Sequence, residues 1–252
     1  MASCVRWIAA LAAPIAAACV NPYQQSYQGL SPEQVHAAPY FELPPGEPTV
    51  VAGSALDQRG VQSDSLRLLE NGYSPVGWSL FRGGAGNPDS AKEQGRQLGA
   101  HLVVLYSRNA GVLTGVVAIA ERVPQAALTN EGGVNILGEA FYHITRFDFG
   151  ATYWVKLRRP ILGASVEDVP WEVSEQVGRP TGAVVIAVIR DSPARSANFI
   201  RGDIIVRLAD REVTGLQTFN DAVLRHAGEA VDVVFIRHGE EQLAHVQLNP
   251  KP

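Results

Sequence analysis

Residues Ala183 to Asp210 read AVVIAVIRDSPARSANFIRGDIIVRLAD. Ala183 to Ile189 is short, almost wholly apolar and rich in Val and Ile, which predicts a buried strand. Asp191 and Ser192 can cap a helix of one to two turns. Pro193 suits its first position, where a missing N–H costs little. Gly202 supplies a turn, and Ile204, Val206 and Leu208 alternate into a second strand. Arg201-Gly202-Asp203 spells an adhesive tripeptide, yet a turn glycine followed by a strand-opening aspartate accounts for it.

Working outward, Thr218 to His226 predicts a helix. Thr218 with Asp221 makes a capping-box-like start, and Gly228 lies just past the end. Phe219, Ala222, Val223 and His226 fall at i, i+3, i+4 and i+7 on one face. Ala230 to Arg237 and Gln242 to Leu248 then predict a hairpin about His238-Gly239-Glu240. Upstream, Ile161-Leu162-Gly163-Ala164 follows Arg158-Arg159-Pro160 and precedes Ser165-Val166.

Strand, Ser-Pro-Ala, short helix, Gly-Asp, strand and late helix resemble the bacterial, circularly permuted PDZ domain of the high-temperature-requirement family. The resemblance implies an α+β chain: a small α/β N-terminal domain followed by a C-terminal PDZ β-sandwich or barrel with two helices. It also implies that Leu162, Gly163 and Ala164 turn successive N–H groups toward a peptide carboxylate, forming an anion nest. Arg158 or Arg159 would add charge. Ser165 and Val166 would hydrogen-bond an extended peptide as one more strand, and Phe219, Ala222, Val223 and His226 would line its side-chain pocket. The plainer alternatives stay open: Gly163 only turns the chain, and the four helical residues are all core. Pro170 and Trp171 open a short helix that would cover the groove or shape its mouth. The expected partners are protein or peptide C-termini.

The N-terminus carries Arg6, then twelve apolar or small residues from Trp7 to Ala18, then Cys19. That is a secretory signal pattern, too short for a spanning helix. Ala16-Ala17-Ala18-Cys19 resembles a bacterial lipoprotein signal, which implies acylation at Cys19; ordinary cleavage near Ala18 is the alternative. Val20, which is not Asp, implies by the same resemblance the outer membrane, facing the periplasm. A single acylated terminus anchors without spanning. The domain plan is signal 1–18, tether 19–48, α/β domain 49–157 and PDZ domain 158–252. The tether holds six prolines counting Pro48, and its residues repeat at neither helical nor strand period.

Within 49–157, strands are expected at Thr49 to Ala52, Gly72 to Phe81, Leu102 to Tyr106 and Phe147 to Leu157. Helices are expected at Asp64 to Asn71 and Ala91 to Leu98. The helix from Ala91, with its flanking strands, suggests a parallel pair. Ser107 to Gly138 reads as an excursion or loose hairpin. Gly72-Tyr73, Gly77-Trp78-Ser79-Leu80-Phe81 and Leu98-Gly99-Ala100 resemble uncharacterised bacterial envelope proteins, which implies the domain order and no chemistry.

The 252 residues are 46% hydrophobic and 18% charged, which marks a globular chain. A net charge of −4 lacks the basic excess of a nucleic-acid surface. No Gly-x-Ser-Gly-Gly turn is present to build a serine protease oxyanion hole, so no catalytic residue is assigned. The six histidines lack metal-ligand spacing, and Gly83-Gly84-Ala85-Gly86 lacks the Lys-Ser/Thr of a phosphate loop. Neither cofactor nor metal is expected.

Overall fold

A computed structural model describes residues 21–42, 46–83, 86–122, 134–169 and 182–252, with main chain alone over 112–122 and 134–145. The signal, Cys19 and the helix expected at Pro170-Trp171 lie outside the described residues. The described chain is α+β and builds two sheets, of five and six strands.

The first sheet has the order β1-β3-β5-β4-β2. Its strands are β1 (Tyr27–Gly29), β2 (Thr49–Ala52), β3 (Tyr73–Gly83), β4 (Leu102–Arg122) and β5 (Val134–Lys156). Helices α3 (Gln58–Glu70) and α4 (Pro88–Leu98) cover its two faces. The expected parallel neighbours are corrected here. β3 and β4 do run parallel, but β5 lies between them, antiparallel to both. The adjacent parallel pair is β2 with β4, Thr49 opposite Leu102.

Each helix starts earlier than expected, because the cap lies further upstream. Asp57 accepts the Gly60 N–H at 2.7 Å, and Asn87 accepts the Asp89 N–H at 2.9 Å ahead of Pro88. Gly99 ends α4 in the left-handed region at φ 71°. Of the segment expected as an excursion or loose hairpin, the described residues 107–122 and 134–138 belong to a long antiparallel pair, β4 with β5, that runs from Leu102↔Trp154 to Arg122↔Val134.

The tether expectation is overturned for residues 21–42. They form α1 (Pro22–Gln25), β1 and α2 (Pro32–Ala37), and they pack on the first sheet. Tyr23, Val35 and Phe41 are buried with Val76, Tyr153 and Val155. Their seat is the Gly77-Trp78-Ser79 stretch. A Cβ at Gly77 would stand 2.3 Å from the Tyr27 hydroxyl oxygen, so only glycine admits that ring. Ser79, buried, donates to the Tyr23 carbonyl at 2.7 Å. Isolated apolar residues that join one core from scattered positions carry no period, which hid this docking from the pattern.

The second sheet has the order β11-β10-β8-β7-β6, with β9 (Arg211–Glu212) on β8. Its strands are β6 (Ala164–Asp168), β7 (Ala183–Val188), β8 (Ile204–Leu208), β10 (Ala230–Arg237) and β11 (Glu240–Gln247). Ser192 caps α5 (Pro193–Ser196), with Pro193 in the first turn as expected. His238 and Gly239, at φ 54° and 84°, make the two-residue turn between β10 and β11. Asp203 is fully buried, gripped by Arg237 through two bonds of 2.7 Å, so the Arg-Gly-Asp aspartate is structural.

Candidate functional site

The stretch from Pro160 to Ala164 is held from one side. Asn249 donates its side-chain amide to the Pro160 carbonyl at 2.8 Å and its main-chain N–H to Ile161 O at 2.9 Å. Ala194 N–H reaches Leu162 O, and Ile189 N–H reaches Gly163 O, both at 2.8 Å. In a trans peptide unit the N–H points opposite to the C=O. Four consecutive carbonyls tied inward therefore turn the N–H groups of Ile161, Leu162, Gly163 and Ala164 the other way. Among the described residues, the N–H groups of Ile161, Leu162 and Gly163 have no hydrogen-bond acceptor. The Ala164 N–H, opposite Val188 in a pair bridged by Ile189 N–H to Gly163 O, points away from the neighbouring strand.

Gly163 is required by this geometry. Its φ is +82°, and a Cβ there would lie 2.2 Å from Ser192 Cβ. Ser192 is itself buried, and its hydroxyl donates to Ile189 O at 2.7 Å.

β6 carries Ser165 and Val166 at the edge of the second sheet. One side pairs with β7, with a bulge between Ser165 and Val166, and the other side has no strand partner among the described residues. Beside it runs α6 (Leu216–Arg225). This helix begins two residues ahead of Thr218, whose hydroxyl accepts the N–H groups of Thr214 and Gly215. Asp168, ending β6, accepts the Leu216 N–H at 2.7 Å and so ties the edge strand to the start of α6.

The expected wall residues divide. Phe219, Ala222 and Val223 are brought beside Leu162 and Val166, but all belong to one buried cluster; Val223, at 9%, is the most exposed of the three. His226 is not with them. Its Nε2 meets Asp210 at 3.1 Å and its Nδ1 meets Glu229 at 2.8 Å, which holds it toward the β8–β9 turn. Arg159 lines a polar hollow with Asp191, Ser192, His245 and Asn249. That is the side the inward carbonyls face, so it does not stand over the N–H row.

Sequence reasoning missed Asn249, Ser192 and Asp168. Asn249-Pro250 looks like nothing more than a turn after the last strand. Ser192 was legible as a cap, but not as the wall that excludes any side chain at Gly163.

A family model described as PDZ domain matches residues 160–248. Over 111 residues the chain is 32% identical to a protein named probable periplasmic serine endoprotease DegP-like, from Marinomonas sp. (strain MWYL1). That alignment covers 38% of this chain and 21% of the relative, so the chain spans about a fifth of that protein's length. Among solved structures, the HtrA-type protease AlgW with decapeptide is 21% identical over 40% of this chain and 37% of that one, with a TM-score of 0.33. The HtrA3 PDZ domain bound to a phage-derived ligand (FGRWV) is 19% identical over 35% and 83%, with a TM-score of 0.31.

Proposed function

We propose that residues 158–252 are a peptide-binding PDZ module that takes an extended peptide as an added strand on β6. The peptide's terminal carboxylate rests on the N–H groups of Ile161 to Ala164, and Ser165 and Val166 meet its main chain. The observation that carries this reading is the loop between Pro160 and Ala164, whose carbonyls are all engaged behind it. Glycine at 163 keeps side-chain bulk out of the turn, and several aligned N–H dipoles favour an anion. Val223 is the position assigned to contact the peptide's last side chain, above Phe219 and Ala222. A contact of this size gives affinity on the order of micromolar.

We take the module to bind without catalysing, since the sequence lacks the serine turn an acyl-transfer site needs. Met1 to Ala18 and Cys19 support export and acylation at Cys19, with the protein facing the periplasm. The relative described as periplasmic supports that compartment. Tethering would raise the effective concentration of partners at the membrane. Palmitate labelling of the expressed protein, lost in Cys19→Ala, tests the anchor.

A second reading, a groove closed at rest, is favoured by the Asp168–Leu216 bond, which bridges edge strand and helix. A peptide array of free C-termini, probed with the mature protein, tests binding directly. Saturable capture of a subset of sequences supports the module. Uniform failure, together with casein turnover abolished by one Ser→Ala change, would replace it with a hydrolase.

A further inference from the structure

The first sheet is unevenly covered. On the face carrying Trp154, α3 lays Val61, Leu68 and Leu69 over Val104 and Tyr106. Across the outer part of the same face, Trp78 and Leu80 of β3 remain 44% and 49% exposed. Register puts them opposite Thr152 and Gly150 of β5. Leu56 sits over Gly150, its Cδ1 2.9 Å from where a Cβ would stand, and a hollow of about 320 Å³ remains beside it. Its lining is almost wholly apolar, with Val61 and Leu69 on one wall and Trp78 and Leu80 on the other.

A charged rung lies on the same face just beyond the residues that line this hollow. The next rung on this face, two residues beyond Leu80 and Gly150, is Arg82 opposite Asp148, about 7 Å further along the strands. Arg108 of β4 pairs with the same rung. Both guanidiniums bond the Asp148 carboxylate at 2.7 Å, and their side chains are about 60% exposed. Two cations share one anion, which leaves one positive charge beside an apolar trough in a chain of net charge −4.

We propose that this hollow binds a single-chain amphiphile with an anionic head, its acyl chain lying along Trp78 and Leu80 and its head group at Arg82 and Arg108. The volume falls at the lower end of the range of small-molecule sites, about 300–1,000 Å³. The apolar walls supply binding by excluding water, and the arginines fix the direction in which the chain lies. The site is independent of the peptide groove, because it uses no residue of the second sheet.

The test is calorimetric titration of the full mature chain with decanoate, 1-decanol and decyltrimethylammonium, each below its aggregation concentration. Decanoate should bind one per chain, about fivefold more tightly than decanol, with the cation weakest. Arg82→Gln should bring decanoate down to the affinity of decanol. Leu80→Glu, at a half-exposed position that leaves the fold intact, should weaken decanoate at least about tenfold. Trp78→Ala, checked by circular dichroism, should do likewise. Absence of saturable binding, or equal affinity for all three head groups, would overturn the proposal. So would a dimer in sedimentation that Leu80→Glu dissociates, which would make this face a contact between two copies.

Discussion

Asp168 Oδ1 accepts the main-chain N–H of Leu216 at 2.7 Å, joining the end of the edge strand β6 to the first turn of α6. The bond caps a helix from a distant part of the chain, since Gly215 itself offers no side chain. It also bounds the groove, because β6 runs only from Ala164 to Asp168. In the proposed binding mode a short peptide would fit between the N–H row and this clasp, while a longer one would have to open it.

Asp168→Ala should then discriminate by ligand length. Peptides of six or more residues should gain a few-fold in affinity, because a bond worth about 1 kcal/mol no longer has to be broken. Peptides of four residues should bind unchanged. Fluorescence anisotropy on a matched length series reads the difference, and equal effects at all lengths would remove the clasp from the binding account.

Gly163→Ala should unfold the second sheet more readily, whether or not peptide is present. A left-handed conformation costs an alanine about 1–2 kcal/mol, and the contact with Ser192 adds to it. A loss of about 2 kcal/mol lowers Tm by roughly 4–8 °C for a chain of this size. A binding defect in this variant is thus uninformative unless stability is measured beside it.

Gly77→Ala should release the N-terminal segment, because its Cβ would meet the Tyr27 ring. The expected signature is faster proteolytic cleavage between Tyr23 and Phe41, while the second sheet keeps its protection. Ser79→Ala, which removes the bond to Tyr23 O and the 3.1 Å contact with the Tyr153 hydroxyl, should produce a milder form costing about 1–2 kcal/mol. Unchanged cleavage in Gly77→Ala would contradict the docked arrangement.

Asp148 gives a pH signature. Hydrogen bonds from Arg82 and then Arg108 hold its carboxyl well below the usual range, at about 2. A group whose pKa is depressed on folding contributes stability above its unfolded value, near 4, and loses it as pH falls through the folded value. Asp148→Asn should flatten the decline of stability between about pH 4 and pH 2. Because both arginines are exposed, the effect should shrink in high salt. Urea denaturation across that window, with and without salt, measures it.

The second sheet was more legible than the first for a physical reason. Its signals are local: Ser192-Pro193 starts a helix, Gly202 turns the chain, and Ala183 to Ile189 is apolar end to end. The insertion of β5 between β3 and β4 is set by pairing across tens of residues, and no local pattern of Leu102 to Tyr106 announces its neighbours. Tyr23 and Phe41 were unreadable because they sit in polar, proline-rich sequence and share no helical or strand period. At the proposed groove, sequence pattern was enough to nominate Leu162 to Val166. The inward pull of Asn249 on their carbonyls could not, since it depends on the chain's end returning to residue 160. Phe219, Ala222 and Val223 satisfied the helical spacing of a pocket wall, and the same spacing serves a core.

The central claim is that the outward N–H groups of Leu162, Gly163 and Ala164 receive a peptide carboxylate. Nitrogen–proton correlation spectra of residues 21–252, titrated with an array-selected peptide and with its C-terminally amidated twin, test this most directly. The free acid should shift these three amides downfield and saturate on the order of micromolar, and the amide should bind at least about tenfold more weakly. Equal binding of the two peptides, or saturation that leaves these three amides unmoved, would contradict it.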